Sequence, residues 1–308
     1  MYTLDNDFSV LEYLDWHQVV LFVIFLLFYL ISLLGKLGMI TLIWMDSRPH
    51  TPMYFFVNHL SFVDVCSSSV LGPKMLTDIF VEKKLISFFG CATKLWLFGQ
   101  FVVTECFLLA SMAYDRCMAF CKPLLYTLIM SRWVCVQLLV GPYTMGLLSS
   151  MTHTTFAFLL AYCGPNIINH FFCDMSPLLS LVCANIQVNK FLVFIVSGAI
   201  VVISSPTIII SYFYILITIL RIHSAEGRCK ASSTCSSNIT AVSILYGTLF
   251  CIYVRLGTIF SLDFNKKVTM FYTTVIPMLN SFIYSLRNKE VKATMHRMVT
   301  RRKFCITS

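Results

Sequence analysis

From Phe191 to Leu220 the chain carries no charged side chain. A helix rises about 1.5 Å per residue, so about 20 apolar residues span a hydrocarbon core about 30 Å thick. A helix is also one of the few folds that satisfies its own backbone polar groups in lipid. The run therefore predicts a membrane-crossing helix. Apolar runs recur along the chain, and the reading gives seven helices at 18–45, 54–77, 89–120, 134–161, 191–221, 232–255 and 268–286, with a tail at 287–308. The expected fold is an all-α membrane protein: a single seven-transmembrane helix bundle over 1–308, with a short amphipathic helix following helix 7 on the cytoplasmic face. No repeated halves, low-complexity tract or second domain is seen.

Composition agrees. Only 12% of residues are charged and 58% are hydrophobic, where a soluble domain carries about 25% charged. The net charge of +9 does not come with a basic-aromatic surface or finger spacing, which argues against a nucleic-acid partner. The cluster Arg297, Arg301, Arg302 and Lys303 reads instead as a segment at a cytoplasmic membrane surface. Alternate loops differ in basic content. The set with Arg48, Arg116, Lys122, Arg132 and the tail holds fourteen Lys and Arg; the opposite set, with Lys83, Lys84 and Lys190, holds six. The positive-inside rule then places the N-terminus outside and the C-terminus inside. The segment before the first span carries Asp5, Asp7, Glu12 and Asp15 and no Lys or Arg, unlike a cleaved signal with its basic n-region. The first span is expected to act as its own insertion signal.

Orientation sorts the thirteen cysteines. Cys91, Cys163, Cys173 and Cys183 fall on the outer side, where four thiols in an oxidising compartment suggest two disulfides in one of three pairings. The other nine are expected to be free thiols. In the same loop His170, Cys173 and Asp174 lie close enough for copper or zinc; the competing reading puts Cys173 in a disulfide and leaves no metal. Nothing matches a nucleophile–His–acid set or an H-E-x-x-H site, so no enzyme is expected.

Charge within a span costs about 2.5–3.5 kcal/mol and marks function by default. Lys36, Asp64 and Glu105 are the candidates. Two buried carboxylates on neighbouring spans suit a bound cation or a shared proton; the competing reading leaves each neutral or snorkelling to an end, which is hard near mid-span. Glu105 and Arg116 are eleven residues apart, close to three turns, so they face the same way with Glu105 about 16 Å deeper. Asp115 and Arg116 end the third span. A charge pair at the interface is weakened by water and salt, which suits a latch that opens when the bundle moves.

Several stretches resemble the odorant receptors among the rhodopsin-like G-protein-coupled receptors: MAYDRCMAFCKPL (112–124), PMYFFVNHLSFVD (52–64), KASSTCSSN (230–238), LYGTLFCIY (245–253), PMLNSFIYSLRN (277–288) and the loop HFFCDMSPLLSLVC (170–183). The long outer loop with its additional cysteines resembles the tetrapod-type class. The resemblance implies a plasma-membrane receptor that binds a small volatile and activates a stimulatory heterotrimeric G protein, raising cyclic AMP. It implies that Arg116, with Asp115 as its resting partner, moves to admit the G protein. Tyr212 and Tyr284 would rearrange around that arginine, and Lys230, Ser232, Ser233 and Thr234 would meet the G protein. It further implies disulfides Cys91–Cys173 and Cys163–Cys183, and a sodium ion at Asp64 and Glu105, in a polar network with Asn280, as the one candidate cofactor. The ligand pocket is expected in the outer third of the bundle, lined by Phe98, Val102, Val103, Cys106, Ser197, Tyr246, Phe250, Tyr253 and Thr273. Those side chains are mostly apolar with a few hydroxyls, as a small volatile with one hydrogen-bonding group requires; plain helix packing is the competing reading for each.

The chain departs from the family pattern at four points. Lys36 stands where the family has Asn, and its ammonium is expected beside Asp64 in place of sodium. Cys117 replaces the Tyr after the arginine, and Ser281 replaces a Pro of span seven. Asn238-Ile239-Thr240 is the one Asn-x-Ser/Thr sequon, and the charge rule puts it on the cytoplasmic side. Together they open the alternative of a receptor that folds but signals weakly. Two further alternatives are a same-fold sensor of a metabolite outside the nose and a transporter or channel, the latter opposed by the lack of repeats and of a continuous polar face.

Overall fold

A computed structural model of the chain describes residues 7–10, 17–45, 52–78, 84–159, 167–168, 186–222 and separate positions from 224 to 247. In chain order the elements are β1 (Asp7–Val10), α1 (His17–Met45), α2 (Pro52–Asp78), β2 (Lys84–Ser87), α3 (Phe88–Cys121), α4 (Tyr126–Ile129), α5 (Arg132–Phe158), β3 (Ile167–Ile168) and α6 (Ile186–Leu220). Positions from Glu226 to Gly247 that are described are helical; those at 226, 228 and 229 precede the expected sixth span at 232–255 and the rest fall within it. The expected seventh span and the tail lie outside the described residues.

Four of these helices are long and apolar enough to cross a membrane: Phe22–Met45, Phe88–Cys121, Arg132–Phe158 and Ile195–Leu220. Helix α2 is as long but more polar, with Asn58, His59, Asp64 and the run Ser67 to Ser69. Its polar side chains turn inward: Ser61, Asp64 and Ser67 are buried.

Burial follows the helical period. On α1 the buried residues are Phe25, Ser32, Lys36, Met39 and Ile43, spaced by three, four or seven along one face. Leu27, Leu34 and Leu37 on the other face are exposed. Leu34 is 67% exposed while Lys36, two residues on, is 2% exposed. An exposed leucine face with a buried lysine is the polarity expected when hydrocarbon is the solvent. Helix α6 shows the same division, with Ser204, Ile208, Ser211, Ile215 and Ile219 buried and Ile203, Ile209, Ile210 and Phe213 exposed.

Helix α3 is the centre of the bundle, packed against α2, α5 and α6. Nearly every residue from Val103 to Ala113 on it is buried. Small residues let α5 approach closely: a Cβ on Gly146 would collide with Thr104 Oγ1 and come within 2.8 Å of the Gln100 carbonyl oxygen. Two hydroxyls stitch the contact, Thr104 to the Pro142 carbonyl at 3.5 Å and Ser111 to the Leu138 carbonyl at 3.0 Å. Pro142 has no N–H to give the Leu138 carbonyl four residues back, which leaves that carbonyl for Ser111.

Local signals set the ends. Ser87 and Ser131 are N-caps whose hydroxyls accept from the N–H groups of Gly90 and Val134, satisfying donors that a helix start leaves open. Pro123 disfavours helical geometry at the residue before it, and α3 ends at Cys121. Helix α6 begins at Ile186, five residues before the expected start at 191, and so takes in Lys190. The hydropathy reading starts a span at its last charge, but backbone hydrogen bonding continues past the apolar core.

A small sheet, in the order β2-β1-β3, joins the segment before α1 to the one before α3 and to the loop after α5. Strand β1 pairs antiparallel with β2, Asp7 opposite Ser87, and parallel with β3, Ser9 opposite Ile167. The all-helical expectation did not include it, because DFSV, KLIS and II are too short to show a period of two. It ties three loops at one end of the bundle.

Candidate functional site

Three groups of predicted residues assemble along α3. The first is ionic. The Lys36 ammonium of α1 makes an ion pair with Asp64 Oδ2 of α2, both groups buried. Glu105 of α3, 6% exposed, adds a favourable charge interaction with Lys36. Beside this group, Ser61 donates to the Met39 sulfur at 3.6 Å. Helices α1, α2 and α3 thus meet at one cation and two carboxylates. A buried charge persists only when paired, which is why the lysine lies on the inward face of α1.

The second group is apolar. Cys106 is fully buried, and Phe98, Val102, Ile200 and Tyr246 pack on the cluster that contains it. Val103 is buried on the same helix and Ser197 is partly buried on α6. The Tyr246 hydroxyl is buried without a hydrogen-bond partner among the described residues. It lies by Cys106 and within reach of the Ser204 hydroxyl, which donates to the Ile200 carbonyl at 2.6 Å and keeps its lone pairs as acceptors. The result is an apolar cluster containing one phenol, beside the Ser204 hydroxyl.

The third group lies at the far end of α3. Asp115 is buried, and its Oδ1 accepts a 2.7 Å hydrogen bond from the Tyr126 hydroxyl of α4. The resemblance implied a resting pair of Asp115 with Arg116, but among the described residues the ion pair is Lys36–Asp64. Consecutive helical residues point about 100° apart, so Asp115 turns to α4. Arg116 still exerts a favourable charge on Asp115, and its buried Nε has no hydrogen-bond partner among the described residues. Cys117 packs with Ile215, Ile219 and Cys235, and Cys121, Tyr212 and Ile222 surround them. Cys121 Sγ lies 3.9 Å from Cys117 Sγ and 3.3 Å from Thr218 Oγ1. The Arg116 charge also reaches Cys235 in the helical positions between Glu226 and Gly247. Arg116 is therefore set among α3, α6 and those positions.

Tyr126 was not among the sequence candidates. Desolvation and then the Asp115 carboxylate push its phenol above the ordinary tyrosine value, so it stays a donor. The turn at Lys122 and Pro123, closed by the Leu125 N–H to the Lys122 carbonyl at 3.1 Å, folds α4 back to the α3 end. A tyrosine soon after a Lys-Pro break was the available signal.

Cys91 is disulfide-bonded. The other described cysteines are free thiols, so its partner is not among the described residues. Cys163, Cys173, Cys183, His170, Asp174, Lys230, Phe250, Tyr253, Thr273, Asn280, Ser281 and Tyr284 also lie outside the described residues. No cluster of three metal-binding side chains occurs among the described residues.

The sequence matches the family model described as olfactory receptor over residues 25–302. The chain belongs to the olfactory receptor family. Similar proteins carry the same description: olfactory receptor 5G25 of Mus musculus, 67% identical over 94% of this chain and 90% of that protein, and olfactory receptor 5G3 of Homo sapiens, 60% identical over 99% of this chain and 98% of that one. This olfactory receptor is accordingly a G-protein-coupled, membrane-embedded sensory receptor, of a family of signalling receptors and not of enzymes. Its family implies a seven-helix bundle, an odorant ligand and a G-protein partner in general.

Proposed function

We propose that the receptor binds small volatile ligands in the apolar cluster around Cys106 and Tyr246 and activates a stimulatory, olfactory-type heterotrimeric G protein at the Arg116 end of α3, raising cyclic AMP. The observation that carries this reading is that one helix bears both ends of the transaction. Cys106 and Arg116 are ten positions apart on α3, about 15 Å along its axis, and α6 and the helical positions between Glu226 and Gly247 touch α3 at both levels. A ligand that binds one packing of these helices better than another shifts their equilibrium by that difference in affinity. In this reading the more basic loops and the Arg116 end face the cytoplasm, the N-terminus lies outside, and the receptor works at the plasma membrane. Cys91 pairs with Cys173 in this reading, and Cys163 with Cys183.

The test is cyclic AMP in cells that co-express the receptor with an olfactory-type stimulatory α subunit, across an odorant panel, with Arg116→Ala beside it and surface staining for both. A ligand-dependent rise that Arg116→Ala abolishes at equal surface level supports the reading. A rise that survives Arg116→Ala, or a surface receptor silent to the panel, counts against it.

A further inference from the structure

Lys36 is the one described lysine that lies wholly inside the bundle in an ion pair. Around it are two buried carboxylates, Asp64 from α2 and Glu105 from α3. The ammonium pairs with Asp64 and interacts electrostatically with Glu105. Charge balance is the informative point. Two carboxylates drawn to one place inside a low-dielectric bundle require a compensating cation or a proton. Most ways of supplying the cation bring an ion from solvent. Here the chain supplies it from α1, on a side chain long enough to reach α2.

We propose that Lys36 is a tethered monovalent cation: it holds the position between Asp64 and Glu105 that a free sodium ion would take, so the receptor binds no sodium there. The proposal is independent of the ligand reading, since it concerns only the α1–α2–α3 contact.

Two consequences separate it from an ion pair that merely docks α1 on α2. The wild-type receptor gains nothing from sodium, because its position is filled. Removing the ammonium with a residue that leaves room and a carbonyl ligand, as in Lys36→Asn, opens the position to an ion, and sodium then stabilises the folded state by mass action. A docking pair alone predicts that Lys36→Asn loses stability equally in every salt.

The experiment is thermal unfolding of the purified full-length receptor in detergent, over a sodium chloride series with choline chloride keeping the ionic strength constant. Wild type and Lys36→Arg are expected to show no sodium-specific shift in Tm. Lys36→Asn is expected to melt below wild type in choline and to recover in sodium with a saturable rise in Tm. Lys36→Asn combined with Asp64→Asn is expected to lose that rise. A saturable, sodium-specific rise in the wild type overturns the proposal, and this measurement needs no variant. A Lys36→Asn receptor no more sodium-dependent than the double variant, or one that cannot be recovered folded in either salt, also overturns it.

Discussion

The Tyr126 hydroxyl donates to Asp115 Oδ1 at 2.7 Å, across the turn that separates α4 from α3. Asp115 is thus held by the loop helix, while the buried Nε of its neighbour Arg116 has no hydrogen-bond partner among the described residues. The restraint on the end of α3 passes through a phenol, and deleting one oxygen tests it. Tyr126→Phe keeps the ring that packs on the core cluster and removes only the donor. A hydrogen bond at such a site contributes about 1 kcal/mol, or about fivefold in an equilibrium. The expected outcome is a basal cyclic AMP level severalfold above wild type at equal surface expression. An unchanged basal level would show that Asp115 is not restrained through Tyr126.

The same bond sets a pH expectation. The phenol's pKa in the folded receptor is raised, first by burial and then by the Asp115 carboxylate. The folded state therefore holds its proton past the unfolded value of about 10. Between these two values the folded receptor binds more protons than the unfolded chain, so its stability falls as pH rises. Below about pH 10 the contribution of Tyr126 is constant. In melting curves taken from neutral pH upward, the gap between wild type and Tyr126→Phe is expected to stay level to about pH 10 and then close.

The contact between α3 and α5 depends on Gly146. An added Cβ there meets Thr104 Oγ1 and the Gln100 carbonyl, and the carbonyl is helix backbone that cannot turn aside. Gly146→Ala is expected to cost about 1–3 kcal/mol, the range for overpacked cores, and to lower surface expression. Gly38 of α1 has nothing within 4 Å of such a Cβ. Gly38→Ala is therefore expected to be neutral or to stabilise by up to about 1 kcal/mol through helix propensity. Comparing Tm for the two variants separates a steric effect from a general intolerance of the bundle to alanine in place of glycine.

The positions of Lys36, Asp64 and Glu105 inside the bundle were legible because a charge in an apolar run has few places to go. The helices themselves were legible from the same runs. What composition leaves open is which charge meets which. The carboxylates of α2 and α3 suggested a pair in themselves, and the family pattern added the lysine; the observed bond joins α1 to α2. Tyr126 escaped notice because its role comes from a chain reversal at Pro123, and a turn residue carries no periodic signal. The three-stranded sheet escaped for the same reason: strands of two to four residues are defined by partners far away in the chain. Contacts made across a bundle or across loops are the part of a fold that local pattern encodes least.

Tyr246 gives the sharpest handle on the ligand. Its hydroxyl is buried with no hydrogen-bond partner among the described residues, although the ring packs firmly on the clusters at Cys106 and at Ala110. An unmade bond at a buried hydroxyl costs about 1–3 kcal/mol, and a ligand carbonyl or ether oxygen that accepts it recovers part of that cost. Tyr246→Phe should therefore act selectively. For agonists with one oxygen acceptor, the concentration giving half-maximal cyclic AMP is expected to rise about tenfold, the equivalent of about 1.4 kcal/mol. For hydrocarbon agonists of similar size it is expected to stay the same or fall, because an unsatisfied polar group has been removed. An equal loss for both classes would place the phenol in helix packing and move the hydrogen-bonding contact elsewhere in the bundle.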